Sequence, residues 1–186
     1  MFGILLTTAP VLLVLIGYAL RVWRLSAFSI TYDELDSILF ADMRVRDLFA
    51  ALATYEPHPP FYYLFLHGWL NLAGRSDFAL RFPSVTFGTL AVATAYSAGR
   101  CIGGRAVGLA AMAILAVSQL SIAYSQDGRM YAALQAFVAL YLAGLLLHLR
   151  RPTQRSVVVL AIAGLLAAYT HYHGLLVVAL GALAIV

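Results

Sequence analysis

The sequence predicts an all-α fold, a polytopic transmembrane helical module with interfacial juxtamembrane helices in its first outer loop. Three observations predict it. Hydrophobic residues make up 63% of the 186 positions and charged residues only 11%, against about 25% charged in a soluble domain, so lipid must act as solvent for much of the surface. Met1–Leu20, Phe82–Gly99, Val107–Ser125 and Ser156–Thr170 have no charged or histidine side chain, and Met130–Leu149 has only His148. Each is close to the roughly 17–25 residues of a spanning helix, Ser156–Thr170 being the short one. Finally, acids and arginines fall in different loops.

The elements follow in order. The chain reads as a single module, 1–186, with spans at about 4–24, 82–99, 107–124, 130–149, 156–170 and 174–186 and an outer loop at about 26–81. The first span has no basic n-region and no small-x-small cleavage site before Arg21, so it reads as a retained helix, not a signal peptide. The sixth apolar run, Gly174–Val186, is short for a span and has no cap, so the architecture is expected to continue beyond it. Cys101 is the single cysteine, so no internal disulfide forms. The +4 charge is carried by arginine without lysine; in a membrane chain it bears on orientation and lipid phosphates, and no nucleic-acid partner is expected.

Seven of the eight acids, Asp33, Glu34, Asp36, Asp42, Asp47, Glu56 and Asp77, lie between the first two spans, and the eighth, Asp127, lies between the third and fourth. The loops after spans two and four hold Arg100, Arg105, Arg150, Arg151 and Arg155 and no acid. The positive-inside rule puts the arginine loops in the cytoplasm and the acidic loops outside. Arg21 and Arg24 run against this rule. So would a span at Phe61–Ala73, but that segment is short, contains His67 and Asn71, and is flanked by Arg75, Asp77 and Arg81. It reads instead as a helix lying in the interface, with Tyr62, Tyr63 and Trp69 at headgroup depth. Thr31 and Glu34 have capping-box spacing, starting a helix that continues through Leu35, Ile38, Leu39 and Asp42. Val45, Leu48, Phe49 and Leu52 form the apolar stripe of a second. Glu56-Pro57-His58-Pro59-Pro60 breaks the chain before the third.

The candidates for chemistry sit in these outer segments. Asp33-Glu34 suits a general base or metal ligand at the membrane surface; capping explains Glu34 equally, whereas Asp33 has no such duty and is kept ionised by the helix N-terminus. Glu56 and His58, held by prolines, suit metal coordination or phosphate contact, or simply form a rigid solvated turn. In Tyr124–Tyr131 (YSQDGRMY), Asp127 and Tyr131 are four apart and Arg129 can fork onto a phosphate; an interfacial ion pair with aromatic anchors is the plain alternative. His171 and His173 suit metal or phosphate but do not share a helical face, so a joint site needs a turn, which Gly174 would allow. A Tyr/His interfacial belt explains either alone. His67 and His148 read as interfacial or snorkelling residues.

The order Tyr32-Asp33-Glu34, His58-Pro59-Pro60-Phe61-Tyr62-Tyr63, Phe78–Ser84 (FALRFPS), YSQDGRMY and Thr170–Gly174 resembles the GT-C superfamily of membrane glycosyltransferases. The likeness is to the family 39, protein-mannosyltransferase-like branch, which includes aminoarabinose and lipopolysaccharide-core galacturonosyltransferases. The resemblance implies an enzyme of the inner or plasma membrane with its catalytic face outward. It would move a monosaccharide, with inversion, from a polyprenyl-phosphate donor to a hydroxyl of a lipid, glycan or protein. Asp33 would be the base, with Glu34 beside it, and Asp127 would support the site. Arg129, His58, Tyr131, His171 and His173 would bind donor, and a divalent metal at Glu56 is allowed but not required. Relatives place a basic residue beside the Pro-Pro pair, where this chain has His58, and continue through further spans. A non-catalytic polyprenyl-phosphate-binding or flipping subunit, or an inactive fragment, is the alternative. A transporter is disfavoured, because the span interiors carry only weakly polar groups such as Ser118, Gln119 and Gln135.

Overall fold

The structure, a computed structural model, describes the backbone of residues 2–55 and 58–185 and the side chains of 8–55 and 58–185. It is all helical: α1 (Phe2–Val22), α2 (Tyr32–Asp42), α3 (Val45–Thr54), α4 (Phe61–Ala73), α5 (Asp77–Val117), α6 (Gln119–Ser125), α7 (Tyr131–Arg150), α8 (Gln154–Thr170) and α9 (Tyr172–Leu183), with no strand among the described residues. Helices α5 and α7 are long and apolar enough to cross a membrane; 8–22 of α1, and α8 and α9, are shorter apolar helices.

Helix α5 is two arms. The backbone leaves helical geometry at Gly103 and Gly104, and Gly104 takes a φ of 77° that suits glycine. The arms fold back on each other tightly enough that a Cβ at Gly99 would lie 2.8 Å from the Gly108 Cα. The second arm, expected to continue through 107–124 as one helix, stops at Val117, and α6 restarts from Ser118, whose side chain caps it.

Arg21 occupies the gap this break creates. It is fully buried. Its Nη1 donates to the carbonyls of Gly17 (2.9 Å) and Ala116 (3.1 Å), its Nη2 to the Leu115 carbonyl (3.0 Å) and Ser121 Oγ (2.7 Å), and its Nε to Ser125 Oγ (3.1 Å). The arginine that ran against the positive-inside rule is therefore an internal clamp between α1 and the broken span, not a surface charge. Gly88 makes room for it, since a Cβ there would meet Ser125 Oγ and come within 2.9 Å of Arg21 Nε.

The juxtamembrane helices form a lid over one end of the bundle. Phe40 and Ala41 of α2, Leu48 of α3, and Tyr62, Tyr63, Leu66 and Leu70 of α4 share one buried cluster with Leu80, Met130, Phe137 and Ala167 of the long helices. This corrects the headgroup role expected of Tyr62 and Tyr63, which are fully buried. Trp69 is half-buried, and its indole N–H donates to the Ala79 carbonyl at 2.7 Å. That carbonyl is the one Pro83 cannot reach, for want of an N–H four residues on. His67 and His148 are not snorkelling groups either: His67 Nδ1 lies 2.7 Å from the Ala41 carbonyl, tying α4 to α2, and His148 Nδ1 lies 2.9 Å from Ser156 Oγ, tying α7 to α8.

Replacing Arg21 by Met would strand the Leu115 and Ala116 carbonyls in an apolar interior. The expected loss is about 2–4 kcal/mol, read as lowered thermal stability of the detergent-solubilised protein. Arg24→Met, on an exposed neighbour, is expected to shift stability by no more than about 0.5 kcal/mol.

Candidate functional site

The site grows from the first turn of α2. Thr31 and Glu34 form the expected capping box: Thr31 Oγ1 accepts from the Glu34 amide (3.2 Å), and Glu34 Oε2 accepts from the Thr31 amide (3.0 Å). The same carboxylate takes a bidentate salt bridge from Arg81, Nε to Oε1 at 2.6 Å and Nη2 to Oε2 at 2.7 Å, and Oε1 also accepts the Gly128 amide at 2.9 Å. Glu34 and Arg81 are both buried. Burial alone would raise the Glu34 pKa; the Arg81 side chain and the Thr31 and Gly128 amides hold it below the ordinary carboxylate range. Glu34 thus joins α2, the start of α5 and the 126–130 turn. Arg81 was visible in the sequence within FALRFPS, but its partner was not, because the two lie on separate elements.

Most residues of the YSQDGRMY segment face a partner or the core. Ser125 accepts from Arg21, and Gln126 Nε2 donates to the Arg21 (3.2 Å) and Trp23 (2.9 Å) carbonyls at the end of α1. Gly128 is packed so closely that a Cβ would lie 2.8 Å from Leu80 Cγ. Met130 is fully buried. Arg129 is 5% exposed; its Nη1 donates to the Asp33 carbonyl (3.0 Å) and, at 3.4 Å each, to Ser37 Oγ and Tyr63 Oη. This guanidinium pins the backbone of Asp33 while leaving the Asp33 side chain exposed.

Asp127 is half-buried, and its Oδ1 is a buried acceptor with no hydrogen-bond partner among the described residues. Burial, reinforced by the Glu34 and Asp33 carboxylates and opposed by Arg129, pushes its pKa up to about 6.

The histidines converge on one another. His171 breaks the α8–α9 junction with extended backbone (φ −162°, ψ 147°) and caps α9 by accepting from the His173 amide at 3.1 Å. The break is at His171 itself, not at Gly174; Gly174 serves by closeness, since a Cβ there would strike the Ala167 carbonyl. The extended residue lets His171 and His173 meet, Nδ1 to Nδ1 at 2.9 Å with rings stacked at 4.6 Å. His58 packs on His171 at 4.8 Å and Tyr131 lies 6.1 Å from it, itself paired with Tyr124 at 5.0 Å. Burial, then the His58, His173 and Arg129 charges, lower the His171 pKa. Glu56 lies outside the described residues, and among those described no group of three His, Cys, Asp or Glu side chains is arranged to hold a metal.

The structure therefore brings the acidic first turn of α2, Asp127 and Arg129 into one frame and places the His58–His171–His173–Tyr131 cluster alongside. A buried carboxylate–arginine pair and a histidine cluster thus lie among apolar helices, two of them long enough to cross a membrane, the class of an integral-membrane protein with an internal polar site. Residues 57–186 match the family described as dolichyl-phosphate-mannose-protein mannosyltransferase, and the chain belongs to that family. It is a membrane glycosyltransferase of the GT-C type, as the sequence motifs suggested. The match takes in His58, Asp127, Arg129, Tyr131, His171 and His173, while Asp33 and Glu34 precede it. No curated protein and no solved structure matches the chain.

Asp127 carries the sign of a group that opposes folding when ionised. Its folded pKa is raised, so the penalty is full above about pH 6 and vanishes as the pH falls below its unfolded value. Asp127→Asn is expected to raise the Tm at neutral pH, and the gain over the parent protein should shrink as the pH is lowered through 6. A gain that is constant with pH would contradict this.

Proposed function

We propose that the chain transfers a monosaccharide from a polyprenyl-phosphate donor to an acceptor hydroxyl on the outer membrane face, with inversion. The observation that carries this reading is the position of Arg129: its guanidinium fixes the backbone of Asp33, and it lies near enough to the histidine cluster for its charge to act on His171. A carboxylate open to an acceptor thus shares Arg129 with a group of imidazoles whose N–H groups suit a lipid phosphate.

The acceptor oxygen attacks the anomeric carbon from the face opposite the phosphate, and its proton passes to the Asp33 carboxylate. The bond from the anomeric carbon to the phosphate oxygen breaks, and its electron pair leaves on the polyprenyl phosphate. His58, His171 and His173, with the Tyr131 hydroxyl and the Arg129 charge behind them, steady that phosphate as its charge grows. A single displacement of this kind inverts the anomeric centre. Glu34 touches no reactant in this scheme; saturated by Arg81, Thr31 and Gly128, it positions Asp33. Asp127 places a second negative charge beneath the reacting sugar, where positive charge develops on the ring.

Asp33→Asn, made in the protein as it exists in its membrane and assayed with a labelled polyprenyl-phosphate sugar, is expected to reduce transfer by about 10²-fold or more while insertion and donor binding persist. Wild-type turnover in that variant would overturn the assignment. A parent protein that binds donor and transfers nothing would identify a binding subunit instead.

The orientation is tested separately. A topology reporter inserted at residues 75–77 is expected to report the outer side, and one at residues 151–153 the cytoplasm. A cytoplasmic signal at 75–77 would place the site on the wrong face for this reading.

A further inference from the structure

At the end of the first arm of α5 and of α7, far from the acidic site, lies a cavity of about 620 Å³ that the glycosyl-transfer reading does not use. From Arg81 to Arg100 the first arm of α5 rises about 28 Å, close to the thickness of a hydrocarbon core. The cavity and the candidate active site therefore sit at opposite bilayer faces.

Three arginines line this cavity: Arg100 from α5, Arg150 at the end of α7, and Arg151 just past it. Two of them are oriented by contacts in the fold. Arg100 lies over the Tyr96 ring at 5.5 Å, and Arg150 Nη2 donates to the Ile102 carbonyl at 3.3 Å, at the chain reversal before Gly103 and Gly104. No carboxylate is available to neutralise them, since the sequence has no acid between Asp77 and Asp127 or after Asp127, and both of those lie at the other end of the helices. The rest of the wall is apolar, including Leu140 of α7 and Val159 of α8. Its volume is that of an ordinary ligand site.

Arginine at a bilayer face together with an apolar wall selects for a particular chemistry. Guanidinium groups hold a phosphate by forked hydrogen bonds. The apolar wall continues toward the membrane interior and would lie along acyl methylenes, for which a free phosphate ion has no use. A zwitterionic headgroup would set its own cation against three arginines, whereas an anionic headgroup brings none. Basic recesses between transmembrane helices take anionic headgroups on these terms.

We propose that this cavity is a binding site for an anionic phospholipid, with Arg100, Arg150 and Arg151 on the phosphate and Leu140 and Val159 along the first part of an acyl chain. It is a structural-lipid site, separate from the one for the lipid-linked donor.

Native mass spectrometry of the purified full chain tests it, with phosphatidylglycerol, phosphatidylcholine and inorganic phosphate added in parallel. Phosphatidylglycerol is expected to remain bound and to raise the Tm, and phosphatidylcholine is not. Each arginine removed should weaken retention about fivefold, so Arg100→Gln with Arg151→Gln should cost about 25-fold. Arg105→Gln with Arg155→Gln removes the same charge outside the cavity and should leave retention within twofold or so. Equal losses in both double variants would show diffuse attraction and overturn the site. Equal retention of phosphatidylcholine would overturn the selectivity, and equal stabilisation by inorganic phosphate would overturn the lipid assignment. Should the first double variant fail to fold, Leu140→Trp fills the cavity with its charges intact; it is expected to expel the lipid, and undiminished retention would overturn the proposal.

Discussion

The salt bridge between Glu34 and Arg81 is the interaction on which the lid and the site depend. Two charges removed from water cost several kcal/mol each, and their mutual attraction alone would not repay that. Here the remaining valences are used as well. Glu34 accepts amides from Thr31 and Gly128, and Arg81 donates to the carbonyls of Leu25, Phe28 and Ser29 in the irregular stretch after α1. One ion pair thereby satisfies the backbone of a non-helical segment, caps α2 and fixes the 126–130 turn. The exposed pair Asp42–Arg75 is as short, at 2.7 Å, but it is a single contact with little comparable consequence, because solvent screens it.

The same rule governs each place where a long helix is interrupted. In a lipid environment every backbone polar group needs a partner within the protein. Pro83 frees the Ala79 carbonyl, and Trp69 donates to it. The break at Ser118 frees the carbonyls of Leu115 and Ala116, and Arg21 donates to both. The reversal at Gly103 and Gly104 leaves Ile102, and Arg150 reaches it. The polar side chains within the apolar helices are thus distributed according to where the backbone fails, not according to a polar face. An amphipathic pattern would not have revealed them.

That is also why the sequence was only partly legible. The all-helical membrane character and the GT-C kinship followed from composition and from short motifs in order. The Thr31–Glu34 capping box followed from its spacing, because a cap is a local device. Tyr62 and Tyr63 were misplaced at the headgroups, since an apolar helix with aromatic residues looks the same whether it lies on lipid or beneath α2 and α3. Arg21, Arg81 and Gln126 went unassigned because their partners lie 47 to 106 positions away. The meeting of His171 and His173 was excluded for a helix, and it occurs because His171 is not helical.

Three carboxylates sit within one small region, and their surroundings divide the work among them. Glu34 is saturated and held ionised, so it gains nothing by taking a proton and is suited to structure. Asp127 is pushed up to about 6 by burial and by its acidic neighbours; it is the costly member, of the kind retained at functional sites at the expense of stability. Asp33 alone is exposed, yet its backbone is clamped by Arg129 in the first turn of α2. A base must be reachable by the acceptor and fixed relative to the leaving group. Of the three, only Asp33 meets both conditions on the proposed reading, and it does so because Glu34 with Arg81, and Arg129 on its own carbonyl, hold the frame in which it stands.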